Sequence, residues 1–133
     1  MNAQLPEYKQ WLIKAEHDLQ SAKILLHSDE PVRDTAVYHC QQVAEKSLKA
    51  VLVFWNEPLM RTHDITALVE KCIKHDNSFE KWRDVAEELT PYAPFFRYPG
   101  DIMEPDPEDC TNALEKAKEL YGFVANLLKD NPA

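Results

Sequence analysis

The stretch VRDTAVYHCQQVAEKSLKAVLVFW, residues 32–55, decides the fold. Val37, Cys40, Ala44, Leu48, Val51 and Trp55 recur at steps of three and four, the period of an amphipathic helix. The last turn, Ala50 to Trp55, is apolar nearly all round, so this helix packs on more than one side and forms the centre of a bundle. Asn56-Glu57-Pro58 ends it, because the residue before a proline avoids the helical region. On the N-terminal side, Tyr8, Leu12, Ala15, Leu19, Ala22 and Leu26 form one apolar stripe of a helix from about residue 6 to 27. Between the two lies His27-Ser28-Asp29-Glu30-Pro31, where Pro31 suits the first turn of the central helix behind two acids that complement its dipole.

Beyond the central helix, a shorter pattern runs from His63 to about His75 through Ile65, Leu68, Val69 and Cys72. Asn77 with Glu80 has the spacing of a capping box, opening a further helix through Phe79, Trp82, Val85 and Leu89. Five of the nine prolines fall between Pro91 and Pro107, which excludes regular helix there. Asp106-Pro107-Glu108-Asp109 reads as an N-cap, a proline at the first helical position and acids in the first turn. The last helix then carries Cys110, Leu114, Ala117, Tyr121, Val124 and Leu128 on one stripe. The expected fold is all-α: a single domain over residues 1–133, an antiparallel up-down four-helix bundle with a broken third helix, four to five helices in all. If the two short helices run the same way, Arg33, Tyr38 and His39 share one end of the bundle with the proline-rich loop. The Arg61-Thr62-His63-Asp64 turn then lies at the other end.

Composition narrows the function. The chain has 133 residues with 15 basic and 23 acidic side chains, a net charge near −8 that argues against a broad phosphate-gripping surface. The imbalance is local: ten acids meet nine bases through residue 75, thirteen meet six after it. Only Gly100 and Gly122 are present, so no glycine-rich phosphate loop can be written. No cofactor is expected, and no apolar run approaches a membrane span. The opening residues lack a basic and an apolar signal region, and Cys40, Cys72 and Cys110 form an odd set without a paired spacing. Buried, reduced thiols and a cytoplasmic location are the expectation.

Three phrases stand in order along the chain: Tyr38-His39-Cys40-Gln41-Gln42-Val43-Ala44-Glu45-Lys46-Ser47-Leu48-Lys49-Ala50, then Thr62-His63-Asp64-Ile65, then Phe96-Arg97-Tyr98-Pro99-Gly100. Together they resemble the HEPN family of small all-α prokaryotic domains, over nearly the whole chain. The resemblance implies a four- to five-helix bundle that forms homodimers, binds nucleotides or RNA, and often works beside a minimal nucleotidyltransferase in toxin–antitoxin pairs. Many members are metal-independent endoribonucleases with an arginine and a histidine separated by four to six residues. There, the arginine fork neutralises the scissile phosphate and the imidazole exchanges the 2′-hydroxyl proton. Arg97 stands in the corresponding place, but no histidine follows it. Asp101, Glu104, Asp106, Glu108 and Asp109 crowd the stretch where it would be.

The resulting expectation is a nucleotide-binding protein of this type, acting with a nucleotidyltransferase and without its own catalysis. Arg97, His39 and Tyr98 are its candidate nucleotide contacts. Against it stands the reading that Arg97 pairs with nearby acids to pin the loop while His39 is a satisfied interhelical residue. The alternative activity is a metal-independent endoribonuclease using Arg97 with His39, and a third class is a structural interaction module with an aromatic face. The spacing of Arg33 and His39 also fits the ribonuclease motif, but it falls at the start of the central helix and reads as chance. Three His-Asp dipeptides, His17-Asp18, His63-Asp64 and His75-Asp76, suggest the ligands of metal-dependent phosphohydrolases, yet they fall on different elements. No metal site is expected. For His63-Asp64 the plainer reading is a helix start, with Thr62 as cap and Asp64 favouring the dipole.

Overall fold

The computed structural model describes residues 5–93 and 105–129, and among these there is no strand. Five α-helices follow in order: α1 (Glu7–His27), α2 (Arg33–Phe54), α3 (Ile65–His75), α4 (Arg83–Leu89) and α5 (Pro107–Lys129). A 3-10 segment, Asn77–Trp82, joins α3 to α4, and a short one, Thr90–Tyr92, follows α4. None of the described helices is long and apolar enough to cross a membrane.

The central position expected for α2 is what its burial shows. Val37, Cys40, Val43, Ala44, Leu48, Ala50 and Val51 have no exposed surface. α1 packs antiparallel to it, with the Tyr8 ring edge-on to Phe54 at one end and the Val32 amide donating to the Leu25 carbonyl at the other. α5 runs antiparallel to α1, donating from the Tyr121 hydroxyl to Glu16. Its first turn meets the start of α2 where Arg33, Pro107 and Cys110 line one cleft. Asp106 caps it as the sequence indicated, accepting from the Asp109 amide at 2.8 Å.

The third element is a hairpin, and this relocates one motif. Residues 55–64 run back along α2, so α3 begins beside the N-terminal half of α2, where Gln41 Nε2 donates to the His63 carbonyl at 2.9 Å. α3 ends near the other end of α2, with the His75 ring stacked on Trp55 at 4.8 Å. α4 then returns, and the Ile65 amide at the start of α3 donates to the Thr90 hydroxyl just past α4. The alternating bundle of α1, α2, α4 and α5 survives, with α3 added. The Arg61–Asp64 turn, however, lies against the half of α2 that carries His39, and is not at the far end as parallel short helices would have required.

Three local readings are corrected. Pro31 lies outside α2, which opens at Arg33 behind Val32. Asp64 itself caps α3, accepting from the Thr66 and Ala67 amides, while Thr62 accepts from the Asp64 amide. Asp76, in place of Asn77, caps the segment that follows by accepting from Ser78, and that segment opens as a 3-10 helix. Carboxylates win these caps because an anion beside the unpaired amides also gains from the helix dipole.

None of the three cysteines forms a disulfide, and all are buried. Burial pushes the Cys40 and Cys72 thiols up to about 12, so they are inert core groups. Trp82 is buried, whereas Trp11 and Trp55 are partly so and pack on the core's rim. Phe95 and Phe96 lie outside the described residues.

Two features generate stability predictions. Asn56 ends α2 with φ of 62°, the left-handed conformation that a β-branched residue tolerates worst. Asn56→Val is expected to cost about 1–2 kcal/mol in urea unfolding, with Asn56→Gly close to wild type. Glu45 is 3% exposed. Burial raises its pKa, but hydrogen bonds from Lys49, His63 and Gln41 outweigh that and hold the carboxyl below its usual range. A depressed folded-state value means that the stabilisation is present above the unfolded pKa and lost as pH falls through the folded one. Unfolding free energy should therefore decline below about pH 4.3, and the decline should shrink in Glu45→Gln. Glu45→Ala, which strands the Lys49 ammonium, should cost about 3 kcal/mol or more.

Candidate functional site

Of the three residues put forward as nucleotide contacts, His39 lies among the described residues, and Arg97 and Tyr98 lie outside them. His39 sits on the second turn of α2 and faces α1. Its Nδ1 is 2.7 Å from Asp18 Oδ1, and Lys46, two turns further along α2, donates from Nζ to Asp18 Oδ2 at 2.6 Å. The Tyr38 ring stands edge-on to the imidazole at 5.1 Å. An ionised Asp18 accepts a hydrogen bond from Nδ1–H, which fixes the neutral tautomer and leaves Nε2 as the acid–base atom. The imidazole is 23% exposed while Asp18 is buried, so the carboxylate supports the ring from beneath. Such a pair can accept a hydrogen bond from a hydroxyl or amine, or, once protonated, donate to a phosphate.

Arg33 does not join His39. It lines a cleft of 160 Å³ with Leu26, His27, Pro107, Cys110 and Thr111, on the side of α2 that meets α5. Six residues along a helix turn a side chain well away from its predecessor, so the Arg33–His39 spacing is the coincidence it was read as. Tyr92, just past α4, lies near Asp109, Cys110 and Cys40, and burial first, then these groups, raise the pKa of its hydroxyl; the proline-rich loop expected at this end lies outside the described residues.

A second polar cluster lies beside the first. Glu45 Oε1 accepts from Gln41 Nε2 at 3.0 Å and Gln42 Nε2 at 3.3 Å, with His63 Nδ1 at 2.8 Å, and Oε2 accepts from Lys49 at 2.8 Å. Lys49 lies under the Trp11 ring, 5.7 Å from its centroid. His63 is therefore more than part of a helix start: its side chain is 45% exposed and its Nδ1 is held by a buried carboxylate.

The His-Asp dipeptides do not converge. Asp18 serves His39 and Lys46, Asp64 and Asp76 are caps, and His75 pairs with Glu57 at 2.6 Å. Among the described residues no three His, Cys, Asp or Glu side chains gather as metal ligands would. Asp18 and Lys46 escaped the sequence reading. Lys46 was in principle visible, because it shares the face of His39 at a spacing of seven. Asp18 was noticed only as half of a dipeptide, and its partner comes from another helix.

Comparison with known proteins agrees with this architecture. The HEPN domain family matches residues 8–127. A Methanocaldococcus jannaschii protein named "Putative toxin MJ1304" is 28% identical, the match covering 92% of this chain and 88% of that protein. The crystal structure of TT1696 from Thermus thermophilus superposes with a TM-score of 0.79 at 24% identity, covering 93% of this chain and all of that one. The crystal structure of ST0689, described as an archaeal HEPN homologue, gives 0.69 at 25% identity over 90% of this chain and 96% of its own. With a family match spanning all five helices and this bundle around a polar α2, the chain belongs to the HEPN domain family.

Proposed function

We propose that this chain is a toxin-like HEPN protein that binds a nucleotide or RNA at the His39 end of α2. In this reading it acts in the cytoplasm as a homodimer with a minimal nucleotidyltransferase partner and does not cleave RNA by itself. Family membership and the relative named as a toxin support the class. The observation that carries the ligand reading is the Asp18–His39 pair, 2.7 Å apart, in which a partly exposed imidazole is held by a buried carboxylate. A protein of this size has little reason to bury a carboxylate between a histidine and a lysine for stability, since an apolar contact serves as well or better. Arg97 supplies the phosphate fork and Tyr98 a stacking surface in this reading.

The same pair favours one second reading. A carboxylate-oriented imidazole is the arrangement of a general base, so His39 with Arg97 would serve a metal-independent ribonuclease.

Thermal unfolding of the purified chain with nucleotides and short RNAs separates these. Ligand is expected to raise the midpoint, and Arg97→Ala or His39→Ala to remove the increase while leaving the unliganded midpoint within a few degrees. RNA cleavage in EDTA, lost in both variants, would establish the ribonuclease reading instead. Stabilisation by no nucleotide or RNA, together with partner binding that survives Arg97→Ala, would make the chain an interaction module.

A further inference from the structure

The chain has four arginines, of which Arg97 lies outside the described residues. Arg83 is paired with Glu70 and Glu80, and Arg61 is exposed. Arg33 differs from both. It is half-buried, yet among the described residues its guanidinium has neither a hydrogen bond nor an ion pair, although Glu30 and Asp34 stand close to it in the chain. A charge partly withdrawn from water and left unpaired costs stability, which points to a partner from outside the chain.

The cleft that Arg33 lines is built where three helices meet. Leu26 and His27 come from the end of α1, Pro31 from the connection that follows, and Pro107 and Leu114 from α5. Its walls are apolar, and no carboxylate lines it. Thr111, also at its edge, spends its hydroxyl proton on the Pro107 carbonyl at 3.0 Å. The remaining polar side chains in the lining, Arg33 and His27, are both bases. α2 opens here without a side-chain cap, so the positive end of its dipole adds to the guanidinium.

We infer that this cleft is a binding site for a small organic acid, a monocarboxylate with a compact apolar body. Its 160 Å³ is the room of about five waters, which suits a single ring or a branched chain. The guanidinium fork pairs with a carboxylate through two parallel hydrogen bonds, and the apolar walls take the body of the ligand. The single charge follows from the surroundings. Asp29, Glu30, Asp34, Asp106 and Glu108 belong to the same three segments without lining the cleft, and their field opposes a second negative charge on the ligand. The site is separate from the one at His39, because Arg33 lies on the side of α2 that meets α5 whereas His39 faces α1. A ligand seated there joins the ends of three helices and stabilises the bundle by mass action.

Titration of the isotope-labelled chain with benzoate, followed by amide chemical shifts, tests this. Saturable shifts are expected at the end of α1, the start of α2 and the first two turns of α5, with Kd of about 1 mM and a raised thermal midpoint. Benzamide, the neutral isostere, and inorganic phosphate, which lacks the apolar body, should each bind about tenfold more weakly or worse. Arg33→Gln should weaken benzoate binding by a similar factor. Thr111→Phe, an exposed change that fills the cleft without altering its charge, should abolish it while leaving the unliganded midpoint within a few degrees. Absence of saturable shifts at these residues, benzamide binding as tightly as benzoate, or wild-type affinity in Arg33→Gln overturns the site. Phosphate binding as tightly as benzoate overturns the monocarboxylate class.

Discussion

A single carboxylate, Glu45, receives three side-chain donors on one oxygen and an ammonium on the other, at a point where almost no water reaches it. A charge so placed is tolerable only while every partner is present. Two donors come from α2 itself one turn back, one from a lysine one turn on, and one from His63, which the chain delivers after leaving α2 and running back along it. Gln41 reinforces the return by donating to the His63 carbonyl. The path of residues 55–64, the start of α3 and the direction of the α3–α4 hairpin all follow from meeting that requirement.

The hairpin has a functional consequence. Had the two short helices continued in one direction, the Arg61–Asp64 turn would have sat at the far end of the bundle from His39. Folded back, it sets His63 against Glu45, and α4 brings Thr90 and Tyr92 to the end where α2 and α5 begin. Burying polar groups along α2 sacrifices stability that apolar residues would provide, and the neighbouring helices compensate with Leu68, Phe79, Leu89, Leu120 and Val124, all fully buried.

Much of the fold was legible because helices announce themselves locally. The apolar stripes of α1, α2 and α5 located those elements to within one or two residues, and the Asp106 cap was read outright. Legibility failed at Thr62 and Asn77, where two capable caps stood near each helix start and the better acceptor, a carboxylate in each case, won. At the candidate site, the sequence singled out His39, but with Arg97 and Tyr98 as companions, both outside the described residues. The carboxylate that holds it in the fold, Asp18, lies 21 residues before it, and Lys46, which shares that carboxylate, seven after.

The sequence by itself determined that this is an all-α bundle around α2 and, through its three phrases, its family, because periodicity and capping are encoded within a few residues. Only the tertiary structure decided that His39 rests on Asp18 and that His63 rests on Glu45. Those pairings cross from one helix to another, and their geometry depends on the crossing of α1 over α2 and on the return of residues 55–64, neither of which any local pattern specifies.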